Sequence, residues 1–116
     1  MKADQNKTLR KGILMSLQTF RTYNLAVEFH RACKALRLPG YLKDQLLRSS
    51  SSVALNVAEG SAKPTAPDQR RFYAIALGSL RESQAALDLL GTASPEIASL
   101  ADHLGGCLYR LTHPKG

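Results

Sequence analysis

The chain has 116 residues, 44% of them apolar and 6% aromatic, with no tryptophan and a formal charge of +7. That is the size of one domain, and the apolar content excludes an intrinsically disordered chain. No apolar run approaches the ~18–20 residues of a membrane span, and the N-terminal "KGILMSLQTF" is too short, with no small-residue cleavage site, for a secretory signal.

The charge is unevenly spread. Residues 1–19 carry Lys2, Lys7, Arg10 and Lys11 against Asp4 and read as an N-terminal basic tail. Residues 20–71 hold nine basic and four acidic residues, whereas residues 72–113 hold two basic and four acidic. A positive first half is an electrostatic feature that invites polyanions, but it is not a recognition motif.

Four helical segments follow the tail, and residues 20–113 read as their bundle. Helix one is predicted from Thr19 to Leu38, with Leu25, Phe29, Ala32 and Leu36 on one face at helical spacing. Pro39 and Gly40 stop it. Helix two is predicted from Tyr41 to Gly60. Leu42, Leu46, Ser49, Val53 and Val57 form its stripe, which Leu47, Ala54 and Ala58 extend. Gly60 and "SAKPTAP" make the next connection.

Helix three is the clearest. Thr65 caps it with Asp68 three residues on, a variant of the capping box. Pro67 falls in the first turn, where its missing N–H costs nothing, and Gly91 is the expected stop. Phe72, Ile75, Ser79, Glu82, Ala86 and Leu89 share one face; Tyr73, Leu77, Leu80, Gln84 and Leu87 share a second. The second stripe has two readings, a contact within the bundle or a subunit interface. Helix four opens with Ser94 as cap, Pro95 and Glu96. Ile97, Leu100, Ala101, Leu104, Leu108 and Leu111 then run to His113. With no strand alternation or hairpin turn, the expected fold is all-α, an antiparallel up-down-up-down four-helix bundle.

Asn56 and Glu59 are three apart within a small and apolar stretch, "SSSSVALNVAEGSAK". Glu59 lies in the last turn of helix two, where the macrodipole disfavours a carboxylate. A tertiary partner would repair this, with Ser79, Arg70 or Arg71 of helix three as candidates. Helix three carries its own small and polar patch, "GSLRES". Gly78 within it costs about 1 kcal/mol relative to Ala, which a close helix approach would offset. Asn56, Glu59, Ser79 and Glu82 are therefore expected to form a structural polar cluster where helices two and three cross, fixing register more than adding stability.

These residues carry a resemblance. Asn56, Ala58, Glu59 and Gly60, then Arg70, Arg71 and Phe72, then Ala76, Gly78, Ser79 and Glu82 resemble the signature of a family encoded in intervening sequences of bacterial large-subunit ribosomal RNA genes. The match covers roughly residues 20–112. That family often has a proline two residues before the Asn; here Ala54 stands there and removes the reason for a kink. The resemblance implies a four-helix bundle assembled as a homopentamer with a basic surface. It is similar also to the accessory proteins of diversity-generating retroelements, which implies a reverse transcriptase and RNA or DNA as partners in that setting.

Catalysis finds little support. The run Ser49–Ser52 has no glycine elbow and no histidine in a defined relation to it, so it reads as a small helix surface for close packing. His30 and Cys33, three apart, read as a packed pair, because zinc needs about four ligands. Glu59 and Glu82 lack the Glu-x-x-His pairs of di-iron bundles. Cys33 and Cys107 read as reduced core thiols of a cytoplasmic protein. No metal, cofactor or enzymatic activity is expected. Two functions remain: a nucleic-acid-binding accessory module, or an oligomeric scaffold whose charges only solubilise it. Binding in the first case would use Arg31, Lys34, Arg37, Lys43, Arg48, Lys63, Arg70 and Arg71. It would contact phosphates without reading bases.

Overall fold

The computed structural model describes residues 16–114. Among them are four helices, α1 (Leu17–Lys34), α2 (Gly40–Ser61), α3 (Ala66–Leu90) and α4 (Pro95–Thr112), and no strand. Neighbouring helices pack in a closed ring, α1 on α2, α2 on α3, α3 on α4 and α4 on α1, which is the antiparallel four-helix bundle. The α2–α3 pair packs most extensively.

The ends follow local chemistry. The Ser16 hydroxyl accepts from the Thr19 N–H at 3.1 Å, Thr65 caps α3 through the Asp68 N–H, and Ser94 caps α4 through the Ile97 N–H. Each satisfies a donor that the first helical turn leaves unpaired. Gly91 ends α3 with φ 64°, a left-handed conformation that glycine adopts without strain. α2 runs unbroken through Ala54. α1 begins two residues before the expected Thr19 and ends at Lys34, four residues before Leu38. Most of the expected N-terminal tail, including Lys2, Lys7, Arg10 and Lys11, lies outside the described residues.

Two expectations about faces are corrected. The buried side of α1 is Thr19, Thr22, Ala26, Phe29 and Cys33, while Leu25, Ala32 and Leu36 pack at its edge. On α3, the stripe offered as a possible subunit interface is the interior: Tyr73, Leu80 and Leu87 are buried in the core with Ala76, Ser83 and Ala86, and Leu77 packs against them. The face left outside carries Arg71, Ile75, Gly78, Glu82, Ala85 and Leu89, all exposed, at alternating four- and three-residue spacing.

Candidate nucleic-acid interface and the α2–α3 seam

Serines form the seam between α2 and α3. Ser49 Oγ and Ser83 Oγ share a hydrogen bond at 2.7 Å, and one turn further along Ser52 Oγ and Ser79 Oγ share one at 2.9 Å. Each of these two hydroxyls also has a carbonyl of its own helix in reach, Leu46 at 3.2 Å from Ser49 and Ser79 at 3.0 Å from Ser83, so one of the pair donates to its partner and the other to its own carbonyl. With so little bulk at the seam, the backbones come close, and no polar side-chain atom buried among the described residues lacks a partner. Ser50 points the other way, to His30 Nδ1 of α1 at 2.7 Å. The serine run is thus a packing surface that serves two neighbouring helices. His30 of α1 has its hydrogen-bond partner on α2.

Asn56 joins the seam indirectly. Its amide donates to the Ser52 carbonyl at 2.9 Å and to Ser52 Oγ at 3.0 Å, and Ser52 continues to Ser79. Glu59 does not join it. Its carboxylate is exposed and pairs with Lys63 at 3.1 Å, one turn on within the same segment. Neither Ser79, Arg70 nor Arg71 is its partner, which corrects the expected link to α3. The reason is rotational: Val57 and Gly60 take the inward positions of this turn, and Glu59 faces out. Lys63, drawn over the chain end, offsets the carboxylate that the dipole disfavours. Glu82 is also exposed and accepts from the Gln45 amide of α2 at the outer rim of the seam.

Gly78 has no atom within 4 Å of the place its Cβ would occupy, so no helix of the same chain approaches it closely. Gly60 has that role instead. It is buried inside α2 against α3, where the ring of Tyr73 and the Cβ of Phe72 fill the space a side chain would need.

The eight basic residues fall into separate groups. Arg31, Lys34, Arg37 and Lys43 gather where α1 turns into α2. The first three are exposed, and Lys43 donates to the Leu36 carbonyl at 2.9 Å, where the helix end concentrates negative partial charge. Arg48 is exposed one turn further along α2. Lys63, Arg70 and Arg71 gather at the opposite end. Lys63 lies 4.8 Å and Arg71 5.2 Å from the centre of the Phe72 ring, within cation–π reach. Lys43 and Lys63 lie near opposite ends of α2, so the rise of a helix puts roughly 30 Å between the groups.

Among the described residues no cluster of three or more His, Cys, Asp or Glu could hold a metal ion. Cys33 and Cys107 are free and buried, and burial pushes the Cys33 thiol up to about 12, so it is no ready nucleophile. None of the described helices is long and apolar enough to cross a membrane.

Comparison with curated proteins and with solved structures found no match. The family model for the 23S rRNA-intervening sequence protein matches residues 16–94. It takes in α1, α2, α3 and the connection to α4, and so the serine seam, Asn56, Gly60 and the whole basic set. The match spans more than half of the chain, and the chain belongs to the 23S rRNA-intervening sequence protein family.

Proposed function

We propose that this protein is a non-enzymatic, oligomeric helical module that binds nucleic acid through its phosphates. The carrying observation is the state of its cations. Of the eight basic side chains assigned to phosphate contact, only Lys63 has a carboxylate within ion-pair distance among the described residues. Unpaired, exposed guanidinium and ammonium groups are what phosphate contact and counterion release require. Aromatics beside them are few among the described residues, Phe72 under Lys63 and Arg71 and the exposed Tyr41 two residues before Lys43, which favours backbone and shape over base reading.

Assembly supports the same reading. The outward stripe of α3 pairs the small Gly78 and Ala85 with Ile75, 45% exposed, and Leu89, 78% exposed. A second copy is a natural occupant, and a homopentamer is the state we favour, in keeping with the family resemblance. Repetition would turn a modest charge per chain into a broad basic surface with avidity. The same stripe also suits the second reading, a protein scaffold that binds no nucleic acid.

Titration of labelled RNA and DNA at several salt concentrations, alongside sedimentation equilibrium, separates the two. The proposal expects an oligomer whose affinity falls log-linearly with salt and is tolerant of sequence. An oligomer that binds nothing at low salt leaves the scaffold. A strict monomer removes the scaffold and the avidity together.

A further inference from the structure

The bundle end that carries the α2–α3 connection holds a half-open cavity of about 320 Å³, to which Arg70 is the one contributor from the basic set. Its walls come from the start of α1, the end of α2, the start of α3 and the end of α4. Arg70 and Arg110 both line it, and among the described residues no carboxylate does. Neither arginine has a carboxylate within ion-pair distance among the described residues, and the hydrogen bond that Arg110 makes to Cys107 Sγ, at 3.4 Å, is a weak one. Two polar side chains in the walls, Thr19 and Tyr73, are each only 5% exposed. Gln69 adds an amide donor at the rim.

The helix dipoles do not explain what would bind here. Two N-termini and two C-termini meet at this end of an antiparallel bundle, and their partial charges oppose one another. The selectivity must come from side chains: two fixed guanidinium charges and hydroxyl and amide donors, with nothing anionic among them. Two positive charges match a phosphate monoester, which carries close to two negative charges at neutral pH. Guanidinium groups are well shaped to bind its oxygens in pairs. The space equals roughly ten water volumes, which leaves room for a sugar behind the phosphate.

We propose that this cavity is a phosphate-monoester site held by Arg70 and Arg110, with Tyr73, Thr19 and Gln69 supplying neutral contacts. The site does not depend on the outer basic groups binding nucleic acid. The phosphate could belong to a free sugar phosphate or to the 5′ end of a nucleic acid strand. Tyr73 is suited to the neutral role, because burial raises its pKa and keeps the hydroxyl protonated; the neighbouring Thr19 opposes this to a smaller degree.

The test is calorimetry on the whole chain with inorganic phosphate, ribose 5-phosphate, and one oligoribonucleotide with a 5′-phosphate or a 5′-hydroxyl. Arg70→Gln and Arg110→Gln should each weaken phosphate and ribose 5-phosphate by about tenfold or more, as expected when a charge-assisted hydrogen bond is removed. Arg31→Gln with Lys34→Gln should leave both unchanged. Tighter binding of the 5′-phosphorylated strand than of its 5′-hydroxyl twin would assign the site to nucleic acid ends. Equal binding of the strands, with ribose 5-phosphate retained, would assign it to free phosphates. The proposal is overturned if no phosphate compound binds, or if the Arg31 and Lys34 changes weaken binding as much as Arg70→Gln does. Phosphate binding that survives while long nucleic acid fails to bind would sink the proposed function and leave this site standing.

Discussion

Gly60 of α2 lies flat against the ring of Tyr73 of α3, so closely that a Cβ at position 60 would stand 2.7 Å from Tyr73 Cε1. This contact closes the loop end of the most extensive helix pair in the bundle. It also sets Tyr73 across the bundle end beside Thr19 of α1, and so shapes one wall of the phosphate cavity. The glycine of the Asn-x-Ala-Glu-Gly run is therefore a packing residue within the helix.

Gly60→Ala should destabilise the fold by about 1–3 kcal/mol, the usual cost of forcing volume into a packed contact. The neighbouring Phe72 Cβ, 3.0 Å from the same point, is attached to backbone and cannot swing aside. Urea denaturation measures the loss. An unchanged midpoint would mean that α2 and α3 separate freely at this end.

Gly78→Ala should do the opposite in the isolated chain. Its Cβ would meet open space, and alanine is favoured over glycine within a helix by about 1 kcal/mol. If a second copy packs on this stripe, the same methyl group should weaken association. Denaturation at low protein concentration reads the first effect and sedimentation equilibrium the second. Stabilisation with association unchanged would move the subunit contact away from α3.

The Ser49–Ser83 hydrogen bond is buried at the centre of the seam. Each single change to Ala should cost about 1 kcal/mol, and the double change less than the sum, with a coupling of about 0.5–1.5 kcal/mol. Additive effects would show that the two hydroxyls are satisfied by their own helices and that the seam is held by shape alone.

Both ends of α3 and the start of α4 were readable from the sequence because caps are local: Thr65 with Asp68, Ser94 with Ile97, and Gly91 need only their own neighbours. Apolar α4 was readable as well. The inward face of α1 was not, because it contains Thr19 and Thr22, which count as polar in any hydrophobic pattern. In the fold, the Thr22 hydroxyl donates to the Gln18 carbonyl at 2.8 Å and buries its polarity within its own helix. Ser49, Ser50 and Ser83 are hidden in the same way. Spacing alone placed Asn56 and Glu59 together but could not show which way each turns. A rotation of roughly 300° between positions three apart leaves one against Ser52 and the other in water. The two faces of α3 were separated only in part: Ala86, grouped with Ile75 and Leu89, is buried beside Tyr73, Leu80 and Leu87, and the buried Ala76 and Ser83 belonged to neither stripe.

His30 should give the fold a pH dependence. Its folded pKa is lowered from the ordinary 6.5, first by burial and then by the nearby Lys34 charge. The unfolded chain therefore binds a proton more readily than the folded one, so stability is full above the unfolded value and is lost as pH falls through it toward the folded value. Denaturation midpoints measured from pH ~7.5 to ~5.5 should fall, and His30→Gln should flatten that slope. A slope that persists in His30→Gln would assign the effect elsewhere.

The two basic groups should contribute unequally to nucleic-acid binding. Arg31, Lys34 and Arg37 are exposed, and none has a carboxylate partner among the described residues. Lys63 is already held by Glu59, and both Lys63 and Arg71 lie over the Phe72 ring. A cation must give up such interactions before it can meet a phosphate, so its net contribution is smaller. Changing Arg31, Lys34 and Arg37 together to Gln should reduce the log–log salt slope for a single strand by about two per chain, at ~0.7 for each phosphate no longer neutralised. Changing Lys63 and Arg71 to Gln should reduce it by about one or less. Because the groups lie near opposite ends of α2, the two sets should act additively. Salt titrations of a fluorescent oligonucleotide decide the order. Equal reductions would mean that Lys63 and Arg71 leave Phe72 on binding. A full slope in both variants, abolished by removing residues 1–15, would place the phosphate-binding groups on the N-terminal segment and take them off the bundle.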